Sequence, residues 1–160
     1  MINERTYKVL GIISNKLRHK NIKWRIGGST NLALQGIKIK APDIDIITDK
    51  QGAYEINKIL KEYEIIPVKF SRTEKYASHF GKFRINRTNI EVIGNLNYFV
   101  NGKWLKAQSM VLNKTPLLKL GGFGVRITPL QYQLKSYQKM KRKADSTKIK
   151  KIINLLKNRR

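Results

Sequence analysis

Residues 24–49 constrain the fold more than any other stretch of the chain. An apolar run ends in the pair Gly27-Gly28, and residues 29–35 then favour a short helix. Gly36 follows as the expected end of that helix, because glycine adopts left-handed backbone angles at no steric cost. Beyond a short basic link, the sequence Asp-Ile-Asp-Ile-Ile alternates with period two. The stretch therefore predicts a strand, a glycine turn, a helix and a second strand.

The second of these strands carries two acidic side chains on one face. Successive side chains of a strand point to opposite faces, so Asp43 and Asp45 share a face and Ile44 and Ile46 share the other. Two neighbouring carboxylates repel each other and stay ionised only beside a cation. This pattern indicates a metal site, although an Asp-x-Asp strand is also typical of an exposed polar sheet edge.

The glycine pair offers a place for an anion next to that metal. Gly27 and Gly28 allow a ligand to approach the backbone, and residues 29–31 open the helix, where free N–H groups and the helix dipole favour a phosphate. Ser29 is the expected N-cap, and its hydroxyl could instead reach a phosphate oxygen. A Gly-Gly turn alone says little. Followed by the paired aspartates, it indicates metal-assisted chemistry on a nucleotide.

These motifs resemble the signature of the DNA polymerase β-like nucleotidyltransferases. In this chain the signature is Gly28-Ser29, a helix, and then Asp43-Ile44-Asp45. The resemblance implies an α+β fold with a mixed sheet flanked by helices. It also implies that the two aspartates and a third carboxylate on a neighbouring strand hold two Mg²⁺ ions, with Mn²⁺ as an alternative. The chain is most similar to minimal members of this superfamily, which include antibiotic-modifying, abortive-infection and toxin-type enzymes.

Glu91 is the first candidate for the third carboxylate. It is the lone charge in the strand Asn89–Gly94, between Ile90 and Val92. An unpaired carboxylate buried in an apolar strand costs several kcal/mol, so Glu91 is either an edge residue or a metal ligand. The resemblance favours the ligand. Glu74, in a polar segment expected to be a loop, is the reserve candidate.

The chain is very basic for its size. Its 34 Lys and Arg and 10 Asp and Glu give 160 residues a net charge of +24. Such a charge attracts polyanions, and nucleic acid is the usual one, although a generic basic surface is the simpler explanation. Residues 126–160 contain twelve of the Lys and Arg and a single acid. Trp104 could stack on a base or belong to the core.

The amino-acid composition argues against several classes of protein. There is no Cys and there are two His, which argues against a zinc enzyme and against Cys–His catalysis. No apolar run approaches the ~20 residues that span a bilayer, and no signal-peptide pattern is present, so we expect no membrane association and a cytoplasmic location. We expect residues 1–160 to form one domain, with its core at about 20–100 and basic helices at about 128–158.

The other elements follow from apolar spacing and turn residues. The pattern predicts helices over Asn3–His19, where Tyr7, Leu10, Ile13 and Leu17 would form the buried face, and over Gln51–Tyr63, capped by Asp49. Further strands are expected at Ile22–Ile26, Ile65–Phe70, His79–Asn86 and Met110–Leu112, with a turn at Arg87-Thr88, and Gly122-Phe123-Gly124 is read as a hairpin turn. Two C-terminal helices would begin at a Thr128 cap and at Asp145 or Ser146.

The resemblance extends to the first of these C-terminal helices. It implies that Lys135 contacts the triphosphate and that Asp145, at the end of the Arg142–Asp145 run, orients basic partners; alternatively, Lys135 is one more surface lysine. The expected function is transfer of a nucleoside monophosphate from an NTP, such as ATP, to a hydroxyl of RNA or tRNA. The alternatives are a small antibiotic-type acceptor and an inactive nucleic-acid-binding module. Toxin-type relatives also imply an antitoxin-type protein partner.

Overall fold

The computed structural model describes residues 1–107 and 115–159, so the strand expected at Met110–Leu112 lies outside the described residues. The chain forms five α-helices and eight strands in these ranges. The helices are α1 (Glu4–Leu17), α2 (Gly28–Leu34), α3 (Lys50–Ile59), α4 (Leu130–Met140) and α5 (Ser146–Asn158). The strands are β1 (Trp24–Gly27), β2 (Asp43–Thr48), β3 (Glu64–Arg72), β4 (Tyr76–Ile85), β5 (Thr88–Val100), β6 (Lys103–Lys106), β7 (Leu117–Leu120) and β8 (Phe123–Arg126).

Six strands form one mixed sheet. Its order is β1-β2-β5-β4-β3, and β6 pairs with the far end of β5. The β2–β5 pair is parallel and the other pairs are antiparallel. Strands β7 and β8 form a separate hairpin. The expected α+β class with a mixed sheet is confirmed.

The two faces of the sheet differ in character. The main apolar core joins one face to α1 and α3, and includes Val9, Ile13, Ile44, Ile46, Ile56, Ile90 and Val92. A second, smaller cluster joins α2 to the C-terminal helices through Leu32, Ile37, Leu130, Tyr137 and Ile152. The isoleucines of β2 thus face the core, as period two predicts, and its aspartates face the other way.

Helix ends follow local capping chemistry. The Asn3 side chain accepts a hydrogen bond from the Thr6 N–H at 2.8 Å, and Asp49 caps α3 as expected, accepting from the Gly52 N–H at 2.6 Å. The buried face of α1 contains Val9 where Tyr7 was expected. Tyr7 is 39% exposed because its hydroxyl turns to the hairpin and donates to the Leu120 carbonyl.

Two tight turns depend on left-handed residues. The β4–β5 turn is formed by Asn86 and Arg87, with φ values of 46° and 64°, one residue earlier than expected. Two left-handed residues in succession suit a type I′ turn, whose twist matches the strands beside it. Gly121 and Gly122 connect β7 to β8, so the expected hairpin is present, but Phe123 and Gly124 belong to β8 and not to the turn.

Helix α2 ends at the predicted glycine. Gly36 has φ 93°, the Gly36 N–H donates to the Ala33 carbonyl and the Ile37 N–H donates to the Leu32 carbonyl. This is the Schellman pattern, and the Leu32 and Ile37 side chains belong to the same apolar cluster. No helix in residues 1–107 and 115–159 is both long and apolar enough to cross a bilayer.

Candidate active site

Two of the acidic residues, Asp45 and Glu91, lie in a single row across the sheet. Gly27 on β1 pairs with Asp45 on β2, Asp45 pairs with Glu91 on β5, and Glu91 pairs with Lys82 on β4. Asp43 lies two residues before Asp45, on the same face. The parallel β2–β5 pairing therefore brings together the three carboxylates that the sequence singled out.

The three carboxylates differ in their partners. Glu91 Oε1 lies 3.3 Å from Lys82 Nζ. Within residues 1–107 and 115–159, no hydrogen bond or ion pair reaches the carboxylates of Asp43 and Asp45. Burial, followed by the charges of Asp43 and Glu91, raises the pKa of Asp45 to about 7, against the opposing effect of Lys148 and Arg142.

This environment fits a divalent cation at the aspartates. Two unpaired carboxylates on one strand supply the hard oxygen ligands that Mg²⁺ prefers, and a cation would remove the repulsion that raises the pKa of Asp45. No three acidic or histidine side chains of the described residues are gathered closely enough to hold one ion together. Glu91 would join the aspartates only by turning away from Lys82.

The glycine turn is pressed against Asp45. Gly28 has φ 60°, and a Cβ atom placed on it would lie 1.8 Å from Asp45 Oδ2. Glycine is therefore required here for both backbone angle and space. Helix α2 starts at Gly28, with Gly27 as its N-cap. Ser29 is consequently inside the first turn and is not the N-cap that the sequence predicted.

Buried hydrogen bonds tie this turn to α4. Gln133 Nε2 donates to the Gly28 carbonyl at 2.8 Å and to the Tyr137 hydroxyl at 2.6 Å. Asn31 Nδ2 donates to Gln133 Oε1 and to the Thr128 carbonyl. Thr128 was expected to cap α4, but its hydroxyl donates instead to the Ile26 carbonyl on β1, and Pro129 takes the N-cap position. The glycine turn and α4 thus hold each other in place.

Cations reach the site from the C-terminal helices. The buried Asp145 carboxylate accepts a hydrogen bond from Arg142 Nε at 2.6 Å, and its other oxygen lies 3.6 Å from Lys148 Nζ. Arg142 and Lys148 line the same cleft as the aspartates, and both lower the pKa of Asp45. Lys135 is exposed and lies outside this lining. Arg142 and Lys148 are therefore the cations that act on Asp45, whereas Lys82 pairs with Glu91.

The three carboxylates, the glycine turn, Arg142 and Lys148 border one cleft of about 550 Å³. Its residues come from the acidic face of the sheet, the glycine turn, α4 and the start of α5. They include Arg25, Gly27, Gly28, Ser29, Asp43, Asp45, Ile47, Phe80, Glu91, Ile93, Tyr132, Gln133, Tyr137, Arg142 and Lys148. Glu74 lies outside the lining, in the β3–β4 turn, so Glu91 is the acid that accompanies the aspartates.

Comparison with known proteins identifies the family of the chain. The family model described as aminoglycoside-2''-adenylyltransferase matches residues 9–152. The chain belongs to this family of nucleotidyltransferases. Among solved structures, a Thermotoga maritima protein described as a nucleotidyltransferase is 33% identical, with a TM-score of 0.82 and 96% of each chain covered. No curated protein matches the sequence.

A more distant relative shares the fold. ANT(2'')-Ia, solved in complex with adenylyl-2''-tobramycin, is 12% identical with a TM-score of 0.50, covering 96% of this chain and 97% of its own. At this identity the likeness concerns the fold alone. The expected superfamily and the expectation of an enzyme are confirmed by the family match.

Three cleft residues of this nucleotidyltransferase escaped the sequence analysis. Arg25 lies two residues before Gly27 on β1, so the period of two predicts that it faces the same side of the sheet as Asp45. Lys148 lies three residues after Asp145, a spacing at which helical side chains meet. Gln133 carried no signal, because its role depends on a tertiary hydrogen bond to the glycine turn.

Proposed function

We propose that this nucleotidyltransferase moves a nucleoside monophosphate from an NTP to a hydroxyl of RNA, using Mg²⁺ held by Asp43 and Asp45 with Glu91 beside them. The observation that carries the proposal is the row of Gly27, Asp45 and Glu91 in one cleft with Arg142 and Lys148. Carboxylates for divalent ions and cations for phosphates are the two requirements of phosphoryl transfer.

Each group of cleft residues has its own role in the proposed transfer. Gly27, Gly28 and Ser29 border the triphosphate, and Arg142 and Lys148 offset its β and γ charges. Two bound divalent ions would neutralise charge on the α-phosphate and lower the pKa of the attacking hydroxyl. The acceptor oxygen bonds to the α-phosphorus, the bond to the bridging oxygen breaks and pyrophosphate leaves. Glu91 takes the hydroxyl proton.

The distribution of acids favours an anionic acceptor. Six of the ten acidic side chains form ion pairs with lysine or arginine within the described residues, namely Glu4, Glu55, Glu62, Glu64, Glu91 and Asp145. Asp49 is occupied as a helix cap. An aminoglycoside is a polycation, and only Asp43, Asp45 and Glu74 remain for it, of which the first two serve the metal. A polyanion, in contrast, is attracted by the net charge of +24 and needs no free carboxylates.

An exposed groove with aromatic side chains lies beside the cleft and could bind single-stranded RNA. Phe99 and Trp104 are cross-strand partners with ring centroids 5.4 Å apart, and the Arg72 guanidinium lies 4.9 Å from the Trp104 ring centroid. Trp104 is 37% exposed, so it is not the core residue that was one reading of the sequence. Thr73 lines both this groove and the cleft. Aromatic rings with arginine are typical platforms for unpaired bases.

A small-molecule acceptor is the second candidate. The family model is named for an aminoglycoside-modifying activity, and ANT(2'')-Ia was solved with an adenylylated tobramycin. We rank this acceptor second because the chain offers few free carboxylates to a polycation. An inactive binding module is ranked below both, since the chain belongs to a family of enzymes.

Label transfer distinguishes these acceptors. The protein is incubated with Mg²⁺ and each α-labelled NTP, ATP first, with total RNA in one arm and an aminoglycoside panel in the other. We expect label in RNA, lost in Asp45→Asn. Label on an aminoglycoside alone would replace RNA with the second candidate, and no label in either arm would reject both. The antitoxin-type partner stays a prediction, to be tested by adding candidate proteins to this assay.

Glu91 has a matched control in this assay. Glu91 and Glu62 are each ion-paired to a lysine, at 3.3 Å and 2.9 Å, but only Glu91 lines the cleft. We expect Glu91→Gln to lower kcat at least ~100-fold, as loss of a general base does, and Glu62→Gln to leave it unchanged. Equal activity of the two variants would remove Glu91 from the proposed site.

A further inference from the structure

Arg25 occupies the second row of the cleft floor. It pairs with Ile47 on β2, Ile47 pairs with Ile93 on β5, and Ile93 pairs with Phe80 on β4. All four side chains line the cleft. This row lies beside the acidic row and is apolar except for Arg25.

Among the residues that the structure describes, none forms a hydrogen bond or ion pair with the guanidinium of Arg25. The residue is only 7% exposed, and its Nε atom is buried without a hydrogen bond. No ion pair within residues 1–107 and 115–159 includes Arg25. Burial lowers the pKa of this guanidinium, with Tyr132 acting in the opposite direction.

An unpaired buried cation lowers the stability of the folded protein. A buried charge without a partner destabilises the fold, and an apolar side chain of similar size would serve better beside Ile47. By contrast, the buried Asp145 carboxylate is satisfied by Arg142 and Lys148. The cost at Arg25 is therefore best explained by an anion that enters the cleft with a substrate.

We infer that Arg25 binds a phosphate group of a substrate at the floor of the cleft. This inference rests on the proposed function, whose two substrates, the NTP and RNA, both carry phosphates. A guanidinium binds a phosphate through two parallel N–H···O bonds, a geometry that lysine cannot reproduce. The phosphate belongs either to the triphosphate of the NTP or to the backbone of the acceptor strand, and binding experiments separate these sources.

Two variants and one control test the inference. Arg25→Met keeps the bulk and removes the charge, and Arg25→Lys keeps the charge and removes the paired geometry. Arg5→Met removes the same charge from an exposed position on α1. The dissociation constants of Mg²⁺ with a non-hydrolysable ATP analogue, and separately of an RNA oligonucleotide with a 5′-hydroxyl, are measured by calorimetry for each protein.

We expect Arg25→Met to weaken one ligand ~10–100-fold, the range for a charge-assisted hydrogen bond, and Arg25→Lys to weaken the same ligand less. Loss confined to the ATP analogue places Arg25 at the triphosphate, and loss confined to the oligonucleotide places it at the acceptor backbone. Arg5→Met should change either constant less than ~2-fold. Unchanged binding of both ligands in Arg25→Met would overturn the inference.

Thermal unfolding without ligand supplies a second readout. A ligand-binding Arg25 predicts that Arg25→Met melts at or above the wild-type temperature, because the buried unpaired charge is gone. A structural Arg25 predicts a lower melting temperature with both affinities intact, which also contradicts the inference. These measurements do not need turnover. Failure of label transfer with Arg25-dependent phosphate binding would therefore reject the proposed function and leave this inference standing.

Discussion

The space beside Gly28 is too small for a Cβ atom, whereas the space beside Gly36 is not. At Gly28 a methyl group would meet Asp45 Oδ2 at 1.8 Å, whereas at Gly36 a methyl group would meet nothing within 4 Å. Both glycines have positive φ, 60° and 93°, so alanine strains the backbone at either position. The difference between the two positions therefore isolates the contact with Asp45.

We predict that Gly28→Ala loses at least ~1,000-fold in activity, since the clash moves the carboxylate that we propose to bind the metal. Gly36→Ala should lose only ~1–2 kcal/mol of stability from backbone strain and keep its activity. Unfolding curves and label-transfer rates for both variants provide the comparison. Comparable activity of the two variants would contradict the role given to Gly28.

Asp45 makes the metal-free protein sensitive to pH. The folded protein keeps the Asp45 proton up to about pH 7, while an unfolded chain releases it near pH ~4. Between these values the folded state binds more protons, so its stability falls as pH rises. Asparagine does not ionise and should escape this loss.

We therefore expect Asp45→Asn to be more stable than the wild type at pH 8 in EDTA, by on the order of 2 kcal/mol, and similar to it at pH 4. Mg²⁺ should raise the melting temperature of the wild type and not that of the variant. Scanning calorimetry at both pH values gives the result. A wild type as stable as the variant at pH 8 would argue against repulsion at Asp45.

At the scale of elements, the strand–turn–helix–strand unit was predictable because its signals are local. Period two placed Asp43 and Asp45 on one face, and Gly36 ended α2 as expected. The strand that carries Glu91 was also predicted from its local pattern, but its place beside β2 was implied by the family resemblance alone. The other features depend on residues within a few positions of one another, so the sequence was sufficient for them.

Other features depend on contacts between distant segments. Thr128 looks like an N-cap from its neighbours, but Ile26 and Asn31 bind it, about 100 positions away in the chain. The buried position of Arg25 in the cleft cannot be read from β1 alone, because α4 contributes Tyr132 and Gln133 to the same lining. Helical spacing cannot choose between Lys135 and Lys148. The choice follows from how α4 and α5 pack on the sheet.

The segment from Arg142 to Lys148 should act as a unit in phosphate binding. Asp145 holds both cations, at 2.6 Å and 3.6 Å, and is itself nearly fully buried. We predict that Asp145→Asn raises the KM for NTP about 10-fold with a smaller change in kcat, because the cations lose their anchor. Stability should fall by ~2–3 kcal/mol.

Asp49→Asn is the matched control, because asparagine also caps helices and Asp49 does not line the cleft. Its KM and stability should stay close to the wild type. Steady-state kinetics with varied NTP test both variants. A loss confined to stability in Asp145→Asn would give Asp145 a purely structural role.

For the whole molecule, the net charge of +24 determines whether the affinity for the acceptor falls or rises with salt concentration. RNA binding releases counterions, so its affinity should fall ~10²–10⁴-fold between 50 and 200 mM salt if several phosphates are contacted. A cationic acceptor is repelled by this surface and should bind better as salt rises. Filter binding and calorimetry over a salt series measure both, and a flat RNA response would contradict a polyanionic acceptor.

The cleft joins groups made at very different times during synthesis. Its carboxylates are in place once β5 has formed, but Arg142 and Lys148 follow some fifty residues later. A nascent chain on the ribosome thus carries the glycine turn and the carboxylates before the two cations that line the same cleft. The cleft is therefore complete only after the last helix has been synthesised and has packed on the sheet.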